Sequence, residues 1–503
     1  MKSWIILAAL LLLAPAAVHA QGVTTSSIWG KVTDQQGTSL PGANIVATHL
    51  PSGSEYGTIS DLDGNFRIPN MRVGGPYEVV ISYVGFESYT QNGITLVLGQ
   101  SHAIGAMLSE SAVLLDEVTV IGLGGVFDAD RTGIASNIDE QLIQVAPSMG
   151  RDIADFARLT PQAYVINDDD DGPAISIAGQ NNRFNTIYID GAVNNDVFGL
   201  SAQGTNGGQT GATPISIDAI EEFQINIAPF DVTQSGFTGG AINAITRSGT
   251  NVFEGSAYYY LRNQTLVGKT PTSDPTLTRE RLADFSNQRY GIRLGGPIVK
   301  NKLFFFASGE LLRSESPRPF NAGEYRGASA SRLAEIQTVL QNELGYDAGD
   351  FGAKAASLDD NKLLGKIDWN ISRDHKLSLR HSYSQSDNTD EFASTASTIN
   401  FRNNGIIFPN TTNSTTMELN SLFGTRVANK LLLGYTRVKD DRGVAGRPFP
   451  SVSITDGAGS ISLGPEPFST ANLLEQDIFT ITNNLNLFSG RHTFTLGTHN
   501  EFY

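Results

Sequence analysis

Residues Ser216–Asn251 read SIDAIEEFQINIAPFDVTQSGFTGGAINAITRSGTN, and the reading of the whole chain turns on them. Phe223, Ile225 and Ile227 alternate with Gln224 and Asn226, the period-two pattern of a half-buried strand. After the pair Gly239-Gly240, Ala241 to Thr246 repeat an alternation of small and apolar side chains, which predicts a second strand. Two glycines at its entrance lack Cβ and permit either positive φ or close backbone approach. Ser248-Gly249-Thr250-Asn251 then supplies a turn.

The order Ile220-Glu221, Gly239-Gly240, Ile242-Asn243 and Thr246-Arg247-Ser248-Gly249 resembles the end of the plug domain of TonB-dependent outer-membrane receptors, with wording closest to the Oar-like branch. The resemblance implies a small α+β domain inside a large β-barrel, whose last residues lead directly into barrel strand one. Ala228-Pro229-Phe230 departs from the Gly-Pro and downstream Tyr-Gly of many members and places the chain in a sub-branch. Upstream, Asn182-Arg183-Phe184-Asn185-Thr186-Ile187-Tyr188-Ile189-Asp190-Gly191 resembles the family's strand and Asp-Gly turn. The plug motif carried over by this resemblance is Arg183, Asn185, Asp190, Gly191, Gly239, Gly240, Asn243 and Arg247. Ser148 to Leu159, with a cap at Ser148 and apolar Ile153, Phe156 and Leu159, predicts a helix of two to three turns that stops before Pro161. Asp168 to Asp171 and the Gly/Gln/Asn/Thr stretch from Ser201 to Thr213 read as loops.

Downstream of Asn251 the chain becomes a series of amphipathic strands. In Lys376–Ser384, Leu377, Leu379 and Tyr383 share one face, while Lys376, Ser378, Arg380, Ser382 and Ser384 share the other. Phe479, Ile481, Leu485 and Leu487 likewise oppose Thr480, Thr482, Asn484 and Asn486. Apolar outside and polar inside is the transmembrane-barrel pattern. Nine strands are predicted, near 253–262, 288–298, 302–312, 361–371, 375–385, 415–427, 430–438, 477–488 and 491–503. Short turns fall around Lys300-Asn301, Arg373-Asp374, Asn429 and Ser489-Gly490, and the other connections are long, the alternation of periplasmic turns and outer loops. A soluble sandwich would not require that alternation. Bacterial single-chain barrels have even strand numbers, and the family resemblance implies 22, so the expectation is a fragment carrying the first part of a longer barrel.

On the N-terminal side, residues 26 to 108 carry closely spaced short strands, with turns at Asp34-Gln35-Gln36-Gly37, Pro51-Ser52-Gly53 and Asp61-Leu62-Asp63-Gly64, which predicts a small antiparallel sandwich. Gly30-Lys31-Val32-Thr33-Asp34, Leu40-Pro41-Gly42-Ala43, Asp61 to Phe66 and Tyr77 to Phe86 resemble the carboxypeptidase-regulatory-like domain. That resemblance implies a carbohydrate-binding-like (transthyretin-like) fold without peptidase chemistry. Asp61-Leu62-Asp63-Gly64 is read as a hairpin turn, because a calcium loop needs later oxygen ligands where the strand Phe66-Arg67-Ile68 begins. Between sandwich and plug, Asp116-Glu117-Val118-Thr119-Val120 is a short β-prone run able to add to another protein's sheet edge, and it resembles the TonB box.

Composition sets the remaining bounds. Lys2, the apolar run Trp4 to Ala14 and Val18-His19-Ala20 read as a secretory leader cut before Gln21. No other run is long and apolar enough for a spanning helix, so membrane crossing falls to strands. With no cysteine, disulfides and thiolate metal or redox sites are excluded. A net charge of −16, more negative once Lys2 is lost, argues against nucleic acid, which needs a basic face. The 52 glycines in 503 residues exceed the usual roughly 7% and suit a turn-rich β protein. His19, His49, His102, His375, His381, His492 and His499 form no metal-binding helix pair, and neither a nucleophile elbow nor a phosphate loop is present. No catalytic residue, metal site or cofactor is expected, and His381 is read as an interfacial side chain on an apolar face.

The sequence therefore predicts a mainly β protein in five segments: a signal peptide (1–20), a sandwich (21–108), a linker with the TonB box (109–122), a plug (123–250) and the N-terminal part of a barrel (251–503). The family resemblance implies the outer membrane of a Gram-negative-type bacterium, with the sandwich in the periplasm. It implies contact with outer-membrane lipid, an inner-membrane TonB-type energy-transducing protein and an extracellular ligand, whether peptide, protein, glycan or chelate. Energised transport of that ligand is the leading expectation. Oar-like protein export is an alternative within transport, and a carbohydrate-binding surface adhesin an alternative of another class.

Overall fold

The computed structural model describes residues 22–110, 134–168, 172–227, 231–269, part of 270–280, and 281–503 except Arg491. The leader, the box at Asp116–Val120 and Ala228-Pro229-Phe230 lie outside the described residues.

Seven strands build the N-terminal unit: β1 (Ser26–Asp34), β2 (Asn44–His49), β3 (Ser54–Ile59), β4 (Asn65–Met71), β5 (Gly74–Ser82), β6 (Tyr89–Leu96) and β7 (Ser101–Leu108). They stack as two sheets, ordered β4-β1-β7 and β3-β2-β5-β6. Alternation along each strand turns Ile28, Val32, Ile45, Ile68, Tyr77, Val79, Ile81 and Ile104 into one core between the sheets. One pairing differs from the antiparallel expectation. β1 and β7 run parallel, from Ser27 beside Ser101 to Asp34 beside Leu108. A period of two reports faces and not direction, so the sequence pattern could not show this. At the Asp61 turn, the carboxylate accepts from the Asp63 and Asn65 amides (2.9 and 2.8 Å), the capping geometry of a hairpin.

The middle unit comprises β8 (Ile134–Asp139), α1 (Glu140–Val145), α2 (Ile153–Ala157), β9 (Ala163–Asp168), β10 (Gly172–Ile177), β11 (Thr186–Ile189), β12 (Ala192–Val193), β13 (Ile220–Ile227) and β14 (Gly240–Thr246). Its sheet runs β12-β11-β14-β13-β8. β14 is central and buried at every position, which is why it carries small and apolar residues. Phe156 of α2 packs edge-on to Phe223 of β13, centroids 6.0 Å apart, inside a core with Ile138, Ile177, Ile225 and Ile242. Two local expectations are corrected. The helix is shorter than read and is capped by Asp152, whose carboxylate accepts from the Asp155 amide, while Ser148 donates to Asp155 (2.6 Å). And β13 is not half-buried: Gln224 and Asn226 are 3% and 7% exposed, because the sandwich covers the polar face.

Nine long strands form the third unit in one antiparallel sheet: β15 (Glu254–Asn263), β16 (Ser286–Val299), β17 (Leu303–Arg318), β18 (Lys354–Asn370), β19 (His375–Asp390), β21 (Ile406–Phe423), β22 (Val427–Val444), β25 (Asn472–Ser489) and β26 (His492–Phe502). These are the nine strands expected, most of them longer than read, because their ladders continue past the apolar band. The turn expected at Asn429 sits earlier. Gly424, with φ +63°, turns the chain after Phe423, and Asn429 lies within β22. Within the sheet Arg289, Lys362, Lys366, Arg380 and Thr482 are buried on the inner face, while Tyr290, Ile292, Leu363, Leu379 and Ile481 stand exposed on the outer. His381 is exposed on that outer face, its Nδ1 2.9 Å from Thr415 Oγ1.

The long loops fold among themselves. α3 (Leu333–Leu344) comes from the β17–β18 connection, β20 (Thr398–Asn400) from β19–β21, and β23 (Val452–Asp456) and β24 (Gly459–Leu463) from β22–β25. β20, β24 and β23 pair into a separate sheet. Leu333, Leu340, Tyr346, Ile399, Phe401, Ile461 and Leu463 enclose a core of their own. Tyr325 and Ser329 hydrogen-bond the buried Asp456 carboxylate across the loops.

Candidate functional site: a polar seam between inner domain and wall

The middle unit lies against the inner face of the nine-stranded sheet, and charged side chains dominate the contact. Glu310 of β17, 2% exposed, is met by Arg289 (2.8 Å) and Lys362 (3.4 Å) from the wall, and by Ser216 (2.9 Å) from the inner domain. Tyr258 of β15 donates to the same carboxylate (2.7 Å). Arg289 also donates to the Gly150 carbonyl (2.8 Å), and Lys362 to Thr213 (2.8 Å). Nearby, Arg151 pairs with Asp218 at 2.6 Å. Higher on the wall the loop read at Ser201–Thr213 is seated by Thr210 against Ser386 (2.7 Å), Gln209 on Asp440 (2.8 Å) and Asn388 on the Thr210 carbonyl (2.8 Å). Phe306 and Leu364 are the wall residues that join the inner domain's apolar core. A seam built this way exchanges its partners for water at modest net cost, unlike apolar packing.

The eight motif residues do not converge on one point. Asn185 bridges two segments: its Nδ2 donates to the Ile175 carbonyl (2.6 Å) and its Oδ1 accepts from the Gly240 amide (3.1 Å). Neither Gly239 nor Gly240 has positive φ, so close approach is the operative reason for both. A Cβ on Gly239 would stand 2.3 Å from Asn185 Oδ1, and one on Gly240 would stand 2.7 Å from the Asn226 carbonyl oxygen. Asp190 (φ +47°) and Gly191 (φ +76°) form the turn after β11. The Asp190 carboxylate accepts from the Thr246 amide (2.8 Å) and hydroxyl (2.7 Å) and faces Arg380 (3.5 Å) and Lys366 (3.9 Å) of the wall. Burial alone would raise its pKa, but the two cations and two hydrogen bonds outweigh that and hold it below the usual carboxylate value. Asn243 accepts from the Val23 amide (3.0 Å), and Arg247 pairs with Glu140 (2.6 Å). Arg183 stands apart, exposed beside the loop at Gly199.

The wall partners Glu310, Lys362, Lys366 and Arg380 were not singled out by function in the sequence, although Arg380 was placed on the polar face. The available signal was a charged residue on the polar, inward-facing side of an amphipathic strand. Among the described residues no group of three or more His, Cys, Asp or Glu could hold a metal.

The sandwich packs on the short-turn end of the wall. Lys376 donates to the Glu55 carbonyl (3.0 Å) and lies over the Tyr56 ring, Asn370 donates to Ser54 (2.8 Å), and Arg72 meets Glu221 (3.7 Å) and the Gly249 carbonyl (3.2 Å).

Comparison with known proteins adds the following. Residues 27–109 match the carboxypeptidase regulatory-like domain, and residues 245–324 and 329–503 match the outer membrane beta barrel domain. The chain is similar to TonB-dependent transporter Oar of Myxococcus xanthus, 28% identical over 388 residues, 73% of this chain and 34% of that protein. It is also similar to TonB-dependent receptor SusC of Bacteroides thetaiotaomicron, 24% identical over 55% of this chain and 26% of that one. Among solved structures the outer membrane transporter YddB from Escherichia coli superposes with a TM-score of 0.50 at 14% identity, covering 73% of this chain and 47% of that one, a likeness of fold. The chain spans about a third or less of the length of these two curated relatives.

Proposed function

We propose a transport function for this chain, which belongs to the outer membrane beta barrel domain family and resides in the outer membrane. Its relatives are transporters and receptors, not enzymes. In our reading it is a TonB-dependent transporter that moves an extracellular ligand inward, with residues 123–250 as the plug and Asp116, Glu117, Val118, Thr119 and Val120 as the segment grasped by the energy-transducing partner. The observation that carries this reading is the seam: a small domain sits on the inner wall through hydrogen bonds and ion pairs such as Asp190 with Lys366 and Arg380. A domain that must shift to open a path needs a contact surface that water can replace. Asn185, Asp190, Gly191, Gly239, Gly240, Asn243 and Arg247 serve as the plug's internal frame and its contacts with neighbouring units, while Arg183 lies exposed outside that frame. The adhesin alternative needs the sandwich outside the cell, whereas its packing on the short-turn end favours the periplasm.

Strand addition uses backbone donors, and proline has none. Val118→Pro is expected to abolish energised uptake while outer-membrane insertion and ligand binding persist. Uptake at the wild-type rate in that variant would refute the assignment of the box.

A further inference from the structure

The sandwich does more than rest against the rim: it grips the plug sheet at its outermost pair of strands. Between β6 and β7 the turn at Leu98–Gln100 enters a polar cluster with β8 and β13. The Leu98 amide donates to Glu222 Oε1 (3.1 Å), and Asn137 Nδ2 donates to the same oxygen (2.7 Å) and to the Leu98 carbonyl (3.1 Å). Gln224 donates to that carbonyl as well (2.6 Å), and Gln100 to Asn137 Oδ1 (3.2 Å). A second grip comes from the residues before β1. The Gly22 amide donates to the Gly191 carbonyl (3.2 Å), Val23 to Asn243, and Thr24 to Glu418 of the wall (2.8 Å). β8 is the edge strand of the plug sheet and pairs with β13.

We propose that the amino-terminal sandwich is a clasp on the plug, closed through Glu222 in its neutral form and loosened when that carboxyl ionises. The surroundings of Glu222 support the assignment. It is 5% exposed, and on one side borders a cavity of about 860 Å³ between sandwich, plug and wall. The charged groups facing it from the elements packed there are Glu221 of β13, Asp139 of β8, Glu140 of α1, Arg72 of the sandwich, Arg247 after β14, and Arg293 and Glu254 of the wall. These are largely committed to one another: Arg72 to Glu221, and Arg247 with Arg293 to Glu140. Burial therefore pushes the Glu222 carboxyl up to about 7, against the hydrogen bonds from Asn137 and Leu98, and Glu221 and Asp139 add to the rise. His49, the imidazole bordering the same cavity, is depressed to about 3 by burial and then by Arg72, so it stays neutral across this range. For a carboxyl whose docked pKa lies above its free value, docking is strongest below about 4.5 and weakens as pH rises through 7.

The clasp rests on the reading of residues 123–250 as a plug, but its test does not use uptake. The chain has no cysteine, so Leu62→Cys on the sandwich and Val145→Cys on the plug, both well exposed, give a single spin-label pair in the full-length protein in outer-membrane vesicles. One narrow distance is expected at pH 5.5, with the docked-to-undocked ratio falling on the order of tenfold by pH 8.5. Glu222→Gln is expected to keep the narrow distance at both pH values, and Glu221→Gln to retain the response. Asn137→Leu should lower the docked population throughout. A wild-type distance distribution unchanged between the two pH values, or a Glu222→Gln variant that still responds, overturns the proposal. Loss of uptake in Val118→Pro bears on the transport reading alone.

Discussion

The pair Gly239-Gly240 shows how much a single position can be forced by its neighbours. Both lack a Cβ because other atoms occupy its place, but the two obstacles differ in kind. At Gly239 the obstacle is the Asn185 side chain, which can rotate; at Gly240 it is the Asn226 carbonyl of the adjacent strand, which cannot move without breaking the β13–β14 ladder. Gly240→Ala is therefore expected to cost more than Gly239→Ala, and Gly240→Val about 1–3 kcal/mol. Hydrogen exchange reads this out: amides of β11, β13 and β14 should exchange faster in Gly240→Val while those of β17 to β22 hold. Equal protection in wild type and variant would remove the close-approach argument. The glycines were legible in the sequence as a backbone requirement, but which of the two reasons applied was not. The same limit governs Asp190. Its Asp-Gly turn could be read, whereas Lys366 and Arg380 sit well over a hundred residues away, and only the register of β18 and β19 brings them to it.

For elements, legibility followed periodicity. All nine wall strands announced themselves by apolar alternation, because a strand between lipid-facing and polar surfaces has to obey it. The outer loops gave no such sign, since their core is assembled from three separate connections, each contributing only a few apolar residues. α3 is the exception in retrospect: Leu333, Ile336 and Leu340 share a face, and Gly345 at φ +61° closes it by donating to the Gln341 carbonyl (3.1 Å). Phe401 is fully buried at the centre of that loop core. Phe401→Ala should cost the cap about 3–5 kcal/mol and leave the wall untouched. Limited proteolysis should then cut within residues 319–353 or 445–471, sites protected in the wild type. An unchanged cleavage pattern would mean that the loops do not fold as one unit.

Across the whole molecule, two kinds of cohesion coexist. The wall is held by uninterrupted ladders such as the sixteen-residue register between β17 and β18, while the inner domain is joined to it mainly by polar contacts. Urea solvates apolar and peptide groups alike, and a unit joined to its neighbour by polar contacts of small net worth has the smaller opening free energy to lose. Amides of the inner domain are accordingly expected to lose protection at a lower urea concentration than those of the nine-stranded sheet, as followed by hydrogen exchange with mass spectrometry. Simultaneous loss would show that the seam is as cohesive as the ladder. The boundary between the two was legible as the change, after Asn251, to a series of amphipathic strands. The docking of the sandwich was not visible, because it depends on turn backbone at Leu98 and on Gln224, whose polar character reads as solvent exposure.

The parallel pairing of β1 with β7 has a mechanical consequence. Because the two strands run the same way, the sandwich is entered and left at opposite ends: Gly22 to Thr24 lie against the plug and wall, whereas Leu108 sits beside Asp34, eight residues further along the strand. At about 3.3 Å per residue that exit is roughly 25 Å from the entrance. The chain resumes at Ile134 in β8, next to the strand positions gripped by the entrance side. Leu108 and Ile134, described positions on either side of residues 111–133, therefore stand at opposite ends of the sandwich. A force applied to the chain between them would reach the sandwich at its far end and the inner domain at its edge strand β8.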